Sequence, residues 1–286
     1  MANLVLATCQ FPIQKQIEKN LSYIIRQLKQ SKEQGAHLVH FSEACLSGYL
    51  GSEVKSAKEI NWESNANALH KIMSLAKELG LWVVVGSNHQ LSGKHKPHNS
   101  LYVINSQGEL INRYDKMFCC GANYNDADLL HYSPGRAFIT FRLRKILCGL
   151  LICHDFRYPE LFREYKKRGV QLMLVSFHNA GGKLKDYHNY NTWVSATLQS
   201  AAASNYFTIS ATNGTRKYAW PSFVSSAEGI IVDRAKPHRP SVLINHIDTT
   251  KKLYDASAAW RNRCIKGIYH SGKLIEDPRS QNRQNL

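Results

Sequence analysis

Apolar and polar positions along this chain follow two periods, and each switch between them marks an element. Leu4 to Cys9 is a nearly unbroken apolar run, a strand ended by Gln10-Phe11-Pro12. Between Gln16 and Gln34, the residues Ile17, Leu21, Ile24, Ile25 and Leu28 lie on one helix face, and Gly35 stops the helix. Ala36 to Phe41 reads as a short strand with Ser42-Glu43-Ala44-Cys45 at its C-terminal end. Gly48, Gly51 and Ser52 make a loop. Asn65 to Leu79 is a second amphipathic helix closed by Gly80, and Leu81 to Val85 a β-branched strand. Asn99–Asn105 and Leu110–Arg113 flank Ser106-Gln107-Gly108, the signature of a hairpin. Lys116 follows, then an irregular loop to Gly135.

The second half repeats this order. Gly35-Ala36-His37-Leu38-Val39-His40-Phe41-Ser42 and Gly169-Val170-Gln171-Leu172-Met173-Leu174-Val175-Ser176 are each glycine, apolar strand and serine with the same gap. A long helix follows each (here Asn191 to Ser204), then another strand, so that Leu81–Val85 corresponds to Tyr206–Ser210. Paired strands, each preceded by a helix and occurring twice, predict two similar sheets with helices on their outer faces. Strands lying between a helix layer and a facing sheet need no polar alternation, which accounts for the apolar runs. No linker separates the halves, so residues 1–286 read as one domain.

Between the repeats lies Gly149-Leu150-Leu151-Ile152-Cys153-His154-Asp155-Phe156-Arg157-Tyr158-Pro159-Glu160. A buried strand, Leu147–Ile152, meets returning polarity at Cys153. Pro159 then opens a helix, where its missing N–H would be unpaired anyway. A cysteine at such a corner has its sulfur at the mouth of a sheet and a backbone N–H beside it, as a nucleophile would. Taken alone, it is more often a small core residue.

Composition narrows the class. Hydrophobic residues make up 43% of the chain and charged residues 20%, enough for a sizeable core. No run approaches membrane-spanning length, and the N-terminal apolar run lacks a signal peptide's basic region and length. Seven scattered cysteines without a C-x-x-C pair predict a reduced, cytoplasmic chain. The formal charge of +16 would suit a nucleic acid, an acidic substrate or plain solubility. The basic residues are dispersed and not interleaved with aromatics, which argues against a nucleic-acid partner. No Gly-x-Ser-x-Gly elbow and no phosphate loop occurs. Strand alternation sets His40 on the face opposite Glu43 and Cys45, so no metal is expected there.

Three reactive groups stand at or just past strand ends: Glu43, Lys116 and Cys153. If they converge, the carboxylate can take the thiol proton. The ammonium and the His154 N–H can then hold a developing oxyanion. A site that lowered the thiol pKa would make Cys153 the fastest of the seven cysteines to react with iodoacetamide.

On Phe41-Ser42-Glu43-Ala44-Cys45-Leu46-Ser47-Gly48-Tyr49, Arg113-Tyr114-Asp115-Lys116 and Ile152-Cys153-His154-Asp155-Phe156-Arg157-Tyr158-Pro159-Glu160, the chain resembles the carbon–nitrogen hydrolase (nitrilase) superfamily over nearly its whole length. The resemblance implies an α/β fold, a four-layer αββα sandwich of two mixed sheets with outer helices. It implies Glu43 as general base, Lys116 as stabiliser of the tetrahedral intermediate and Cys153 as nucleophile, with a thioester intermediate and no cofactor. The family's second glutamate is replaced by Asp128, counted back from Ser133-Pro134-Gly135, and an aspartate reaches one methylene less far. The histidine common two residues after the lysine is Phe118 here.

The run from Cys153 to Glu160 is similar to the amidase and carbamoylase branches. A small amide or N-carbamoyl substrate is therefore expected ahead of a nitrile. Tyr49, His154, Arg157, Phe177, His178 and Asn179 are the expected substrate-binding residues. His178 equally fits a satisfied loop histidine, and Arg157 a packing role at a helix start. A non-catalytic ligand-binding or scaffold sandwich and a basic nucleic-acid binder are the rival readings. Residues 254–286 form a polar, basic extension, and Trp260, Ile265 and Tyr269 suggest that it packs on the partner of a homodimer or higher homo-oligomer.

Overall fold

The computed structural model describes residues 3–121, 127–179, 184–216 and 219–284. In the first half, β1 (Asn3–Gln10), β2 (Leu38–His40) and β3 (Trp82–His89) run parallel, and β4 (His98–Ile104) and β5 (Leu110–Asp115) continue antiparallel. In the second, β6 (Thr140–Leu143) pairs antiparallel with β7 (Ile146–Ile152), which runs parallel to β8 (Leu172–Ser176) and β9 (Thr208–Thr212). Two antiparallel strands, β10 (Phe223–Ser225) and β11 (Ile231–Arg234), follow. The last strand, β12 (Ser241–Asp248), crosses back to pair antiparallel with β1, Asn3 opposite Asp248 and Gln10 opposite Ser241. The two six-stranded sheets, β12-β1-β2-β3-β4-β5 and β6-β7-β8-β9-β10-β11, thus match strand for strand. The pairings read from the sequence, β2 with β8 and β3 with β9, take corresponding places in them.

Four helices cover the outer faces. In α1 (Ile17–Glu33) the stripe Ile17, Leu21, Ile24 and Leu28 is buried. The next helix, α2 (Trp62–Leu79), begins earlier than its apolar stripe suggests, because Asn61 caps it by accepting the Ser64 N–H at 2.9 Å. Gly80, at φ +63°, ends it in the left-handed conformation that glycine adopts without strain. Over the second sheet lie α3 (Pro159–Lys167) and α4 (Leu184–Asn205). No helix among the described residues is long and apolar enough to cross a membrane.

The central strands of the first sheet are buried on both faces. Cys9, Val39, Val83 and Val85 pack under α1 and α2, whereas Leu4, Leu6, Leu38 and Val84 join the core shared with the second sheet. Burial on two sides is why the strands read as unbroken hydrophobe. One polar cluster interrupts the seam. His40 Nδ1 bonds Ser210 Oγ and His40 Nε2 bonds Ser176 Oγ, each at 2.8 Å, and Thr8 Oγ1 bonds Ser210 Oγ at 2.8 Å. Burial pushes the His40 pKa down to about 3.

The C-terminal segment is tied to its own chain through Arg261, whose Nε donates to Ser204 O at 2.9 Å and Nη1 to Asp255 Oδ2 at 2.8 Å. Of the residues expected to dock it, Trp260 and Tyr269 are exposed and Ile265 is half-buried; Leu274 and Ile275 are exposed as well.

Candidate active site

Parallel strands open their C-terminal ends at one rim, where α/β folds place their ligands. Glu43 follows β2, and Phe177, His178 and Asn179 follow β8. Cys153 follows β7, and Lys116 follows β5, which runs the same way as β3 because both are antiparallel to β4. The Glu43 N–H donates to Phe177 O at 3.3 Å, closing the rim between the sheets. Gly86 on β3 makes room for this turn. A Cβ there would lie 2.3 Å from Ser42 O and 2.6 Å from Ala44 N.

Glu43, Lys116 and Asp128 form one buried cluster, each no more than 4% exposed. Lys116 Nζ donates to Glu43 Oε1 at 3.0 Å and to Asp128 Oδ2 at 2.7 Å, with the Tyr49 hydroxyl at 3.4 Å. Glu43 Oε1 also accepts Asn99 Nδ2 at 2.8 Å, and Oε2 accepts the His178 N–H at 2.8 Å. The Tyr49 hydroxyl donates to Asp128 Oδ1. The aspartate reaches because its loop is drawn in: Asp128 N–H donates to Cys120 O at 2.8 Å and Cys120 N–H to Asp128 Oδ2 at 2.7 Å. Burial opposes the charge on Lys116, but its partners, Glu43 foremost, outweigh it and hold the pKa well above the usual lysine value. Burial likewise opposes ionisation of Asp128, and Lys116 overcomes it, so Asp128 lies below the usual aspartate value.

Cys153 is half-buried at the start of a 3-10 turn, Cys153–Arg157, and has φ +43°. Ala44 (φ +49°) and Ala127 (φ +43°), next to Glu43 and Asp128, share that left-handed conformation. Non-glycine residues held there store strain that the surroundings must support. Asp155 supplies the support: its Oδ2 accepts the Ile152 N–H at 3.1 Å and the Tyr114 hydroxyl at 2.8 Å, its Oδ1 the Phe118 N–H at 2.7 Å. Burial raises the Asp155 pKa to about 6. The fields of Glu43, Lys116 and Asp128 all act on the Cys153 thiol. Burial and Glu43 raise its pKa well above the usual value, against the pull of Lys116. The site thus does not meet the condition for fast labelling of Cys153: the resting sulfur carries its proton.

The expected substrate-binding residues divide. Tyr49 lies in the cluster itself. His154 is half-buried with Nε2 3.3 Å from the Tyr158 hydroxyl, its pKa pushed down to about 4 by burial, then Arg157 and Lys116. The Arg157 guanidinium stacks 4.3 Å over the Trp193 ring on α4. Phe177 is buried edge-on against Phe156 and Trp220. The His178 ring points to Glu53, Nε2 to Oε2 at 3.0 Å, and Asn179 N–H donates to Asn213 Oδ1 at 3.0 Å. Phe118, in the place of the family's histidine, packs 4.0 Å from the Tyr158 ring.

Three participants escaped the sequence. Asn99 sits mid-strand on β4 with no motif around it. Asp155 was in plain view two residues after Cys153, a carboxylate in a turn that follows a strand, which is the signal for a buried acceptor of backbone N–H groups. Glu53 follows the Gly48–Ser52 loop, where no motif marks it. Among the described residues no group of three or more His, Cys, Asp or Glu side chains is arranged to hold a metal ion. Between the carboxylates of Glu43 and Asp128 sits the Lys116 ammonium.

Over 182 aligned residues, 61% of this chain and 63% of that protein, the chain is 26% identical to omega-amidase NIT2 of Xenopus tropicalis. It is 27% identical over 186 residues to deaminated glutathione amidase of Yersinia enterocolitica, again matching 63% of that protein's length. The fold matches that of an amidase from Nesterenkonia sp. with TM-score 0.73 at 21% identity, covering 86% of this chain and 90% of that one. It also matches glutamine-dependent NAD+ synthetase of Acinetobacter baumannii with TM-score 0.75 at 20% identity, over 96% of this chain but 49% of that one. Residues 5–253 match the carbon-nitrogen hydrolase family model, and by that match the chain belongs to the carbon-nitrogen hydrolase family.

Proposed function

We propose that the chain is a thiol-dependent amidohydrolase that cleaves the C–N bond of a small amide or N-carbamoyl compound. The observation carrying this reading is the buried contact of Lys116 with both Glu43 and Asp128 at the rim where Cys153 follows its strand. Lone-pair counting assigns the parts. Glu43 Oε1 already accepts from Asn99 and Lys116, whereas Oε2 accepts only from the His178 N–H, so Oε2 is the free proton acceptor. Of the three Lys116 hydrogens, two go to Glu43 and Asp128, and the third has only the long 3.4 Å contact with Tyr49. That third hydrogen can turn to a developing oxyanion.

As Cys153 Sγ attacks the carbonyl carbon, Glu43 takes the thiol proton. Collapse of the intermediate breaks the C–N bond, and Glu43 hands the proton to the departing ammonia or amine. Water, deprotonated by Glu43, then attacks the thioester; the C–S bond breaks, the acid leaves, and Glu43 returns the proton to the sulfur. Every step uses side chains of this chain. Asp128 keeps Lys116 charged and aimed. The names of the relatives, omega-amidase and deaminated glutathione amidase, favour amides over nitriles. A homo-oligomer in which residues 254–284 cover a partner, and a cytoplasmic location, belong to the same proposal. The exposed Leu274 and Ile275 and the free cysteines support them.

The test is intact-mass measurement after incubation with pooled amides, N-carbamoyl compounds and nitriles. A covalent adduct is expected with the amide or carbamoyl pool and none in Cys153→Ala. An adduct on another residue, or turnover in Cys153→Ala, would overturn the reading.

A further inference from the structure

Outside the cluster just described, the loop after Tyr49 buries a fourth ionisable group beside it. The Glu53 side chain is 5% exposed and spends both oxygens on donors. Oε1 accepts Arg216 Nη2 at 2.7 Å, whereas Oε2 accepts the Tyr49 N–H at 3.2 Å and His178 Nε2 at 3.0 Å. Each of the two groups on Oε2 leads to the reaction centre. His178 gives its backbone N–H to Glu43 Oε2, and Tyr49 gives its hydroxyl to Asp128 and stands 3.4 Å from Lys116. Facing a carboxylate, the imidazole donates from Nε2. Nδ1 has, among the described residues, no hydrogen-bond partner. It looks onto Gly214, where a Cβ would come within 2.6 Å of it. The bond to Glu53 is thus the polar contact that fixes the ring.

We infer that Glu53 is a positioning residue: from one carboxylate oxygen it braces His178 against the base and Tyr49 against the lysine and its aspartate. This rests on the reading of Glu43 as the base. The brace needs one oxygen that accepts from both Tyr49 and His178; the other serves Arg216, whose side chain is partly exposed. A glutamine can turn its carbonyl to Tyr49 and His178 and still brace them, leaving its NH2 to face Arg216. An alanine braces neither. Since a misplacement of about 1 Å can cost about a hundredfold in rate, the loss falls on turnover and spares substrate affinity.

The experiment measures acyl transfer from p-nitrophenyl acetate by the full chain, with thermal melts of every variant. Glu53→Ala is expected to lower kcat about tenfold or more with KM within about threefold, and Glu53→Gln to return kcat to within about threefold of wild type. His178→Ala should match Glu53→Ala, and the double variant should lose no more than either single one. If Glu53→Ala does not fold, His178→Ala and Glu53→Gln carry the test by the same criteria. Wild-type kcat in either alanine variant would overturn the inference. So would losses that multiply in the double variant, or a folded Glu53→Gln as slow as Glu53→Ala. Cys153→Ala separates the two levels. Unchanged turnover there sinks the thiol mechanism, whereas a dead Cys153→Ala beside an unaffected Glu53→Ala sinks only the brace.

Discussion

Asp128 holds the Lys116 ammonium at 2.7 Å, closer than Glu43 does at 3.0 Å. The shorter acid has thus become the tighter partner, because the turn that carries it is hydrogen-bonded to Cys120 on both its backbone and its side chain. Asp128→Asn should cut kcat about tenfold or more, since Lys116 loses one of its two counter-charges. Asp128→Glu should not restore wild-type turnover, because one methylene more overfills a loop already drawn in. Steady-state kinetics on the amide found by adduct screening decides both, and a fully active Asp128→Glu would contradict the fit described.

Lys116→Ala leaves two buried carboxylates without their cation. Removing one partner of a buried charge cluster costs about 3–5 kcal/mol, and here turnover should vanish as well. Urea unfolding at neutral pH reads the first effect. A variant as stable as wild type would mean that water reaches the cluster.

Because burial and Glu43 hold the Cys153 thiol protonated, iodoacetamide at pH 7 should label the exposed Cys264 and Cys120 ahead of it. Labelling of Cys153 should accelerate as the pH is raised. Peptide mapping by mass spectrometry over a time course reports the order. If Cys153 leads at pH 7, the thiolate already exists and Glu43 has no proton to take.

The seam histidine gives a pH signature. The folded His40 pKa of about 3 lies below the usual histidine value, so the folded state binds fewer protons. Stability from this group is complete above about pH 6.5 and is lost as the pH falls toward 3, a swing on the order of 5 kcal/mol. His40→Gln, which can still bond Ser176 and Ser210, should flatten the fall of Tm between pH 6.5 and 4. An acid limb as steep as wild type would assign the titration elsewhere.

Much of this was legible in the chain. The repeat was visible because Gly35–Ser42 and Gly169–Ser176 carry the same local pattern, and both lie between helices and a facing sheet. Glu43 and Cys153 stood out because reactive side chains followed apolar strands, and Lys116 because it closed a hairpin. The return of β12 to β1 was not legible. Val242, Leu243 and Ile244 announce a strand, but nothing local says which sheet it joins, and pairing across the whole chain is a long-range choice. The polar start of α4, Leu184 to Tyr190, hid its beginning for a related reason, since a helix face without apolar period leaves no trace. His178 was picked out for its ring, yet its backbone N–H meets Glu43 and its ring turns to Glu53. Side-chain direction is set by partners from other segments, which periodicity does not encode.

The matched sheets carry unmatched chemistry. Where the first half follows β2 with an acid, Glu43, the second follows β8 with Phe177; where the second follows β7 with a thiol, Cys153, the first follows β1 with Phe11. Each half has therefore kept one working corner and filled its twin with an aromatic ring. Because β12 also stitches the second half into the first half's sheet, the two cannot drift apart without dismantling the scaffold. Symmetry builds the frame, and its local breaking supplies two unlike reagents that meet once.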